Sequence, residues 1–114
     1  MLLRATLYRM GVRGWRLHAK KYAGSPDLAF IGKKVAVFVD GAFWHGHPHK
    51  YRRGQSGAFW DEKITRNVER DRSVNEQLRA AGWTVVRLWD FEIEGDPQGS
   101  AARVVEALRP RRPS

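Results

Sequence analysis

Two aspartates near the middle of the chain have the spacing of a metal site. Asp27 opens a predicted strand and Asp40 closes the next one, with a tight turn at residues 32–34 between them. Because a hairpin brings its two ends together, the two carboxylates are expected to lie close to each other. Such a pair is repulsive unless a cation lies between the groups, and Mg²⁺ prefers hard oxygen ligands. The alternative is that both are ordinary turn and capping residues.

A histidine nearby could supply acid–base chemistry. His45 follows the second strand after a short loop, near the Asp40 end of the hairpin. An imidazole beside a divalent metal ion is suited to general acid or base catalysis. A partner that orients the ring would distinguish this role from that of an ordinary histidine in a surface loop.

A long predicted helix offers that partner. Its inward stripe, at helical spacing with apolar residues at both ends, consists of Trp60, Ile64, Asn67, Asp71, Val74 and Leu78. Asp71 is thereby carried toward the core, where an unpaired carboxylate is costly. Its partner is either His45 or, with equal weight, a backbone N–H or an arginine of the sheet.

The charge of the chain indicates a polyanionic partner. The 114 residues carry a net charge of +9, and residues 1–60 account for all of it, with 11 Lys and Arg against two acids. Residues 61–114 hold ten of each sign. Neutralisation of phosphates drives the binding of such basic surfaces to nucleic acid. A charge that merely keeps the protein soluble is the alternative.

Aromatic side chains alternate with the basic ones. The pairs Phe43-Trp44 and Phe59-Trp60 flank a segment that contains Lys50, Arg52 and Arg53. Flat rings beside cations are suited to stacking on bases next to phosphate contacts. Phe59 or Trp60 could instead belong to the core.

The elements that position these residues predict an α/β fold. Helices are expected at residues 2–10, at 58–81, where Gly82 ends the helix, and at 100–108, capped by Ser100. Strands are expected at 15–20, 27–31, 35–39 and 83–89. Every residue of 35–39 is apolar, which predicts a central strand buried on both faces. The strand–helix–strand unit should make strands 35–39 and 83–89 parallel. The result is a single domain over residues 1–114 with a mixed sheet flanked by helices, and a tail at 109–114 that is expected to be disordered.

Several classes of protein are excluded. The chain has no cysteine, so it cannot form disulfides, thiolate zinc sites or a cysteine nucleophile. His47 and His49 would supply at most two zinc ligands, fewer than a structural site needs. No apolar run is long enough to span a bilayer or serve as a signal peptide, and a bacterial cytoplasmic location is expected.

At these positions the sequence resembles the very-short-patch-repair (Vsr) DNA mismatch endonucleases. The resembling segments, in order and spacing, are residues 24–28 (GSPDL), 35–46 (VAVFVDGAFWHG), 59–64 (FWDEKI), 67–71 (NVERD) and 81–89 (AGWTVVRLW). The resemblance implies a restriction-endonuclease-like fold. It also implies Mg²⁺-dependent nicking of one DNA strand at a T:G mismatch, on the 5′ side of the thymine.

The resemblance also implies roles for individual residues. Asp27 matches the metal-binding aspartate, and Val39 matches a residue that offers the metal its main-chain carbonyl. His45 matches the catalytic histidine and Asp71 the acid that pairs with it. Asp40, where some relatives carry a histidine, is expected to strengthen metal binding.

For DNA binding, the resemblance implies an aromatic wedge. Phe43 and Trp44 match aromatic residues that insert beside the mismatch, with Trp60 close by. The basic side chains that hold the backbone without recognising sequence are expected to include Lys50, Arg52 and Arg53. The partner is double-stranded DNA with a T:G mismatch, bound by a monomer.

The sequence departs from the family in its zinc site and its N-terminus. Family members carry a structural zinc held by Cys and His, whereas the matching positions here are Ala42, His47, His49 and Phe91. Packing is expected to fill this site, without zinc. Relative to the family, the N-terminal helix is expected to be shortened, without a counterpart of an acid that relatives carry near the active site. The alternatives to a mismatch endonuclease are a non-catalytic DNA-binding module or restriction-system subunit of this fold, and a related nuclease without mismatch preference.

Overall fold

The computed structural model describes residues 2–42, 46–47, 51–55 and 57–109. The elements in chain order are helix α1 (Leu2–Arg9), strands β1 (Arg16–Leu17), β2 (Leu28–Phe30) and β3 (Val35–Asp40), helix α2 (Ala58–Ala80), strand β4 (Thr84–Trp89), and helices α3 (Asp90–Gly95) and α4 (Pro97–Leu108). No helix in these ranges combines the length and the apolar character that crossing a membrane requires.

The four strands form one mixed sheet in the order β1-β2-β3-β4. Strand β2 is antiparallel to both β1 and β3. Strands β3 and β4 run parallel, from Val35 opposite Thr84 to Asp40 opposite Trp89. The prediction of a mixed α/β sheet with a parallel strand–helix–strand unit is therefore confirmed. Asp40 and Trp89 are the last residues of β3 and β4 and lie side by side at the carboxyl ends of these strands.

Strand β3 is buried on both faces of the sheet, as its all-apolar run predicts. Val35 and Val37 belong to one core cluster, whose other members come largely from α1, α4 and β4. Ala36 and Phe38 belong to the cluster on the opposite face, where α2 packs. Since side chains alternate along a strand, Asp40 lies on the α2 face with Phe38.

Helix α2 ends as the sequence predicts. Gly82 adopts a left-handed conformation with φ of 86°, directly after the C-cap residue Ala81. The Gly82 N–H donates to the Arg79 carbonyl (3.0 Å) and the Trp83 N–H to the Leu78 carbonyl (2.9 Å). These two bonds form a Schellman motif, which explains why the glycine stops the helix at this point.

The C-terminal helices differ from the prediction. Helix α4 starts at Pro97, not at Ser100, because Asp96 accepts a hydrogen bond from the Gly99 N–H (2.9 Å) and proline fits the first helical position. Ser100 is instead buried inside the helix. Helix α3 was not predicted; it follows β4 directly, and the Glu92 side chain accepts from the Trp89 N–H at its start (3.2 Å).

Candidate active site

A cleft of about 160 Å³ opens where the ends of β3 and β4 meet α2. Its lining residues are Gly24, Ser25, Asp27, Phe38, Val39, Asp40, Arg70, Asp71, Val74 and Arg87. The structure thus brings together Asp27, Val39, Asp40 and Asp71, four residues that the sequence analysis proposed for the site.

Asp27 is held by the hairpin that it opens. Its Oδ2 accepts a hydrogen bond of 2.7 Å from the main-chain N–H of Val39 on the neighbouring strand. Its Oδ1 makes no hydrogen bond to any residue that the structure describes. The carboxylate is therefore oriented by one oxygen, while the other is available to a ligand in the cleft that Asp27 lines.

Asp40 is bound by an arginine. It is only 6% exposed, and Nη1 of Arg87 donates to its Oδ1 (2.9 Å) and Oδ2 (3.2 Å). The register of the parallel pair explains this contact, since Arg87 lies opposite Phe38 and Asp40 is the next residue on that face. A carboxylate that already neutralises a guanidinium is a poorer metal ligand. The geometry therefore does not favour Asp40 as a metal ligand beside Asp27.

Arg87 was missed by the sequence analysis. Its Nε donates to Asn75 Oδ1 (2.7 Å), its Nη1 lies 3.7 Å from Asp71 Oδ1, and its guanidinium stacks on the Phe38 ring at 4.1 Å. An arginine of the sheet, one of the partners foreseen for Asp71, is therefore present. The signal for it was a single charge in the apolar run of residues 84–89.

The inward stripe of α2 is confirmed. Ile64, Val74 and Leu78 are buried, and Asp71 and Trp60 are half-buried. Trp60 lies at the first turn of α2, in edge-to-face contact with Phe59 at 5.2 Å, and Phe59 is 67% exposed. At this end of the helix an exposed aromatic surface is available.

Residues 51–55 form a basic loop tied to the first turn of α2. The Asp61 carboxylate accepts hydrogen bonds from the Tyr51 hydroxyl and from the Gly54 N–H (3.0 and 2.9 Å). Arg52 and Arg53 are exposed. The hydrogen bond from Tyr51 lowers the pKa of Asp61, helped by the one from Gly54, and the same bond to Asp61 raises the pKa of Tyr51.

Other predicted site residues lie outside the described residues: Phe43, Trp44, His45 and Lys50, as well as His49, which matches one of the zinc positions that the resemblance implies for the family. At the remaining zinc positions the structure shows packing. Ala42 is buried, and the His47 ring lies edge-on to Trp89 at 4.8 Å and to Phe91 at 4.9 Å. This packing agrees with the expectation for the site, and zinc content itself stays a prediction.

The cleft has a donor set that fits Mg²⁺. Over the described ranges no group of three or more His, Asp or Glu side chains could hold a metal ion. Mg²⁺ does not require one, because it commonly binds through one or two carboxylates and fills its other positions with water and substrate phosphate. The oriented carboxylate of Asp27 and the adjacent main chain of Val39 meet that requirement.

The chain is similar to known DNA endonucleases of one family. A family model described as "DNA mismatch endonuclease Vsr" matches residues 1–52. The type II nicking enzyme V.HpaIIP of Haemophilus parainfluenzae is 34% identical over 114 residues, which cover 97% of this chain and 80% of the relative.

Two further relatives extend the comparison. The type II nicking enzyme V.NaeI of Lentzea aerocolonigenes is 40% identical over 111 residues, 93% of this chain and 65% of the relative. The DNA mismatch endonuclease Vsr of Escherichia coli K12 is 34% identical over 97 residues, 82% of this chain and 62% of that protein. The chain thus spans slightly less than two thirds of the length of these two relatives.

Proposed function

Because this chain belongs to the Vsr family of DNA mismatch endonucleases, which are hydrolases, we propose that it nicks one strand of a DNA duplex at a T:G mismatch with the help of Mg²⁺. The observation that carries the proposal is the cleft, in which Asp27 is oriented by Val39 and faces the same space as Asp71. Such an action on DNA would take place in the bacterial cytoplasm.

In this proposal, Asp27 and the Val39 carbonyl would hold the metal ion. When bound there, Mg²⁺ supplies Lewis-acid chemistry that polarises the scissile phosphate and stabilises the leaving oxygen. The hydrogen bond from the Val39 N–H fixes the Asp27 carboxylate before metal or DNA arrives, so less reorganisation is needed at the moment of reaction. Asp40 serves as the partner of Arg87.

His45 and Asp71 handle the proton. His45 takes a proton from the attacking water as the water oxygen bonds to phosphorus. The bond from phosphorus to the leaving oxygen breaks, and that oxygen takes a proton from solvent. Asp71 orients the imidazole and stabilises its charged form. Support for this pair comes from the position of Asp71, which lines the cleft from the inward stripe of α2.

DNA binding uses the basic and aromatic residues at the start of α2. Arg52 and Arg53 are exposed on a loop tied to that helix, and their charges, with that of Lys50, suit contact with phosphates. Phe43 and Trp44 would insert beside the mismatch, with Trp60 close by. A mismatched step costs less to unstack than a paired one, so insertion itself favours the mismatch.

A nicking assay tests the activity. A labelled duplex with one T:G pair and a matched duplex with T:A are incubated with the protein, each in Mg²⁺ and in EDTA. We expect a single-strand nick 5′ to the mismatched thymine in Mg²⁺ only. Equal nicking of both duplexes would contradict mismatch specificity, and binding without any nick would favour the non-catalytic DNA-binding module.

The wedge has a test of its own. Replacing Trp44 with alanine should narrow the ratio of T:G to T:A affinity by about tenfold, or 1.4 kcal/mol, with little change in salt dependence because no phosphate contact is lost. Binding titrations on both duplexes give the ratio, and thermal unfolding gives the stability. A collapsed melting temperature with an unchanged ratio would place Trp44 in the core instead.

A further inference from the structure

Arg87 occupies an unusual place for a charged residue. It is the single charged residue of β4, its side chain is 19% exposed, and it lines the cleft between the carboxylates of Asp40 and Asp71. A guanidinium so deep in the protein is stable only if its charge and its donors are satisfied. The contacts that satisfy it indicate what it does.

Those contacts fix the guanidinium in orientation. The Asp40 carboxylate accepts from Nη1 with both oxygens, Asn75 accepts from Nε, and the Phe38 ring covers one face of the group. Phe38 and Asp40 belong to β3, which is bonded to β4 in parallel register, and Asn75 belongs to α2. A planar group that is bound in its plane and stacked on its face has little rotational freedom.

The guanidinium of Arg87 also forms an ion pair with Asp71. Nη1, the same atom that binds Asp40, lies 3.7 Å from Asp71 Oδ1, which is within ion-pair range in a half-buried environment. Asp71 and Asn75 are one turn apart on the same face of α2. By contacting both side chains, Arg87 ties two successive turns of this helix to the sheet. Asp40 thus orients Arg87, and Arg87 in turn orients Asp71.

From this geometry we infer that Arg87 is a positioning residue for the nicking reaction: bound to Asp40, it holds the Asp71 carboxylate where the acid–base pair needs it. Asp40 has the same indirect role and is not a metal ligand. The inference rests on the proposed function, because Asp71 matters to the reaction only through His45.

Single-turnover nicking of the T:G duplex tests the role of Arg87. The Arg87→Gln variant should nick about 100-fold more slowly, since small displacements of catalytic groups cost this much, while its DNA affinity stays within about twofold of wild type. The Arg87→Lys variant keeps the charge and should recover part of the rate. The matched control is Arg79→Gln, at an exposed arginine near the end of α2, which should nick at the wild-type rate.

Combining variants shows whether Arg87 acts through Asp71. If it does, the Asp71→Asn/Arg87→Gln double variant nicks no more slowly than Asp71→Asn alone, because the group being positioned is already lost. Multiplying losses would overturn the inference. So would a weakened DNA affinity and a smaller salt slope in Arg87→Gln, which would make Arg87 a direct phosphate contact.

The metal requirement tests Asp40. If Asp40 acts by orienting Arg87 and not by binding the metal, the Asp40→Asn variant should lower the nicking rate and leave the half-maximal Mg²⁺ concentration within about twofold of wild type. A tenfold rise in that concentration would make Asp40 a metal ligand and overturn this part of the inference.

Loss of folding has to be separated from loss of positioning. Arg87→Gln leaves the buried Asp40 without its cation, so the Asp40→Asn/Arg87→Gln variant, which removes both charges, provides a folded comparison. Slow nicking by this variant at normal DNA affinity supports the inference, and wild-type nicking by it overturns the inference. A wild-type protein that does not nick would overturn the proposed function as well, whereas an unaffected Arg87→Gln would overturn the positioning role alone.

Discussion

The cleft and the basic loop are held in opposite ways. In the cleft, the carboxylate of Asp40 is bound by Arg87 of the neighbouring strand, 47 positions away in the chain. In the basic loop, Asp61 bonds to Tyr51 and Gly54, only ten and seven positions away. The cleft groups are largely buried, and the loop is largely exposed.

This contrast matches two different physical tasks. Hydrolysis of a phosphodiester needs groups fixed in a site that excludes much of the water, where each electrostatic contact is strong. Binding a DNA backbone needs positive charge of roughly correct placement and tolerates motion. Substitutions in the cleft should therefore change the rate or the fold, and substitutions at the loop should leave both largely intact.

The largest effect is expected for Asp27→Asn. Without the carboxylate the cleft loses the one side-chain metal ligand in the proposal, and metal catalysis is worth several kcal/mol. Mg²⁺-dependent nicking should fall about 1000-fold or more, while DNA affinity stays within a few-fold. Single-turnover nicking and a gel-shift titration measure the two quantities. Undiminished nicking would show that the metal site lies elsewhere.

A smaller effect is expected from crowding the wall of the cleft. Gly24 has φ of +73°, and an added Cβ would lie 2.6 Å from Val74 Cγ1. Gly24→Ala should therefore destabilise the protein by about 1–3 kcal/mol, which thermal unfolding would detect as a lower melting temperature. Gly14→Ala is the matched control, because Gly14 has φ of +92° and no atom within 4 Å of the added Cβ. Equal losses of melting temperature in the two variants would mean that backbone strain, and not the contact with Val74, causes the destabilisation.

The anchor of the basic loop should produce a local effect. The Asp61→Asn variant removes the negative charge of Asp61 and weakens its hydrogen bond with Tyr51. Both of these raise the pKa of Tyr51, so that pKa should return toward its ordinary value. NMR titration of the tyrosine rings measures it, with Glu62→Gln as the control at a neighbouring exposed carboxylate. Nicking should stay within about twofold of wild type. A 100-fold loss would erase the contrast between loop and cleft.

The hydrogen bonds that Asp61 accepts in the basic loop should depend on pH. The pKa of Asp61 is lowered in the folded protein, so its contribution is complete above the ordinary pKa of the carboxyl and is lost as the pH falls through the lowered value. The pKa of Tyr51 is raised, so the contribution of its hydroxyl is lost only as the pH rises through that raised value. Backbone NMR shifts at Gly54 should therefore be constant around neutral pH and change in acid.

The smallest effect is expected from removing metal from the fold. His47 packs against Trp89 and Phe91, and Ala42 is buried at another of the positions for which the resemblance implies a zinc ligand in the family. Treatment with a chelator should leave the melting temperature unchanged, and elemental analysis should find no stoichiometric zinc. One zinc per chain, together with unfolding in the chelator, would show that the histidines recruit other ligands.

Much of the fold follows from local patterns. The apolar run of β3 predicts a strand buried on both faces, and the inward stripe with Gly82 predicts both the orientation and the end of α2. Helix α3 and the start of α4 were missed because they depend on competition between neighbouring caps. Asp96 followed by Pro97 is a stronger helix start than Ser100, since proline already has the φ of the first turn.

By itself, the sequence determined the four strands, the long helix α2, the closeness of Asp27 to the end of β3, and the inward position of Asp71. Each of these depends on a local pattern or on spacing within one hairpin or one helix. Only the tertiary structure decided the partner of Asp40. That choice depends on the register in which β4 joins β3 after the crossover through α2, which places Arg87 opposite Phe38 and within reach of Asp40. A shift of one residue would turn the Arg87 side chain to the other face of the sheet, so no local pattern specifies this contact.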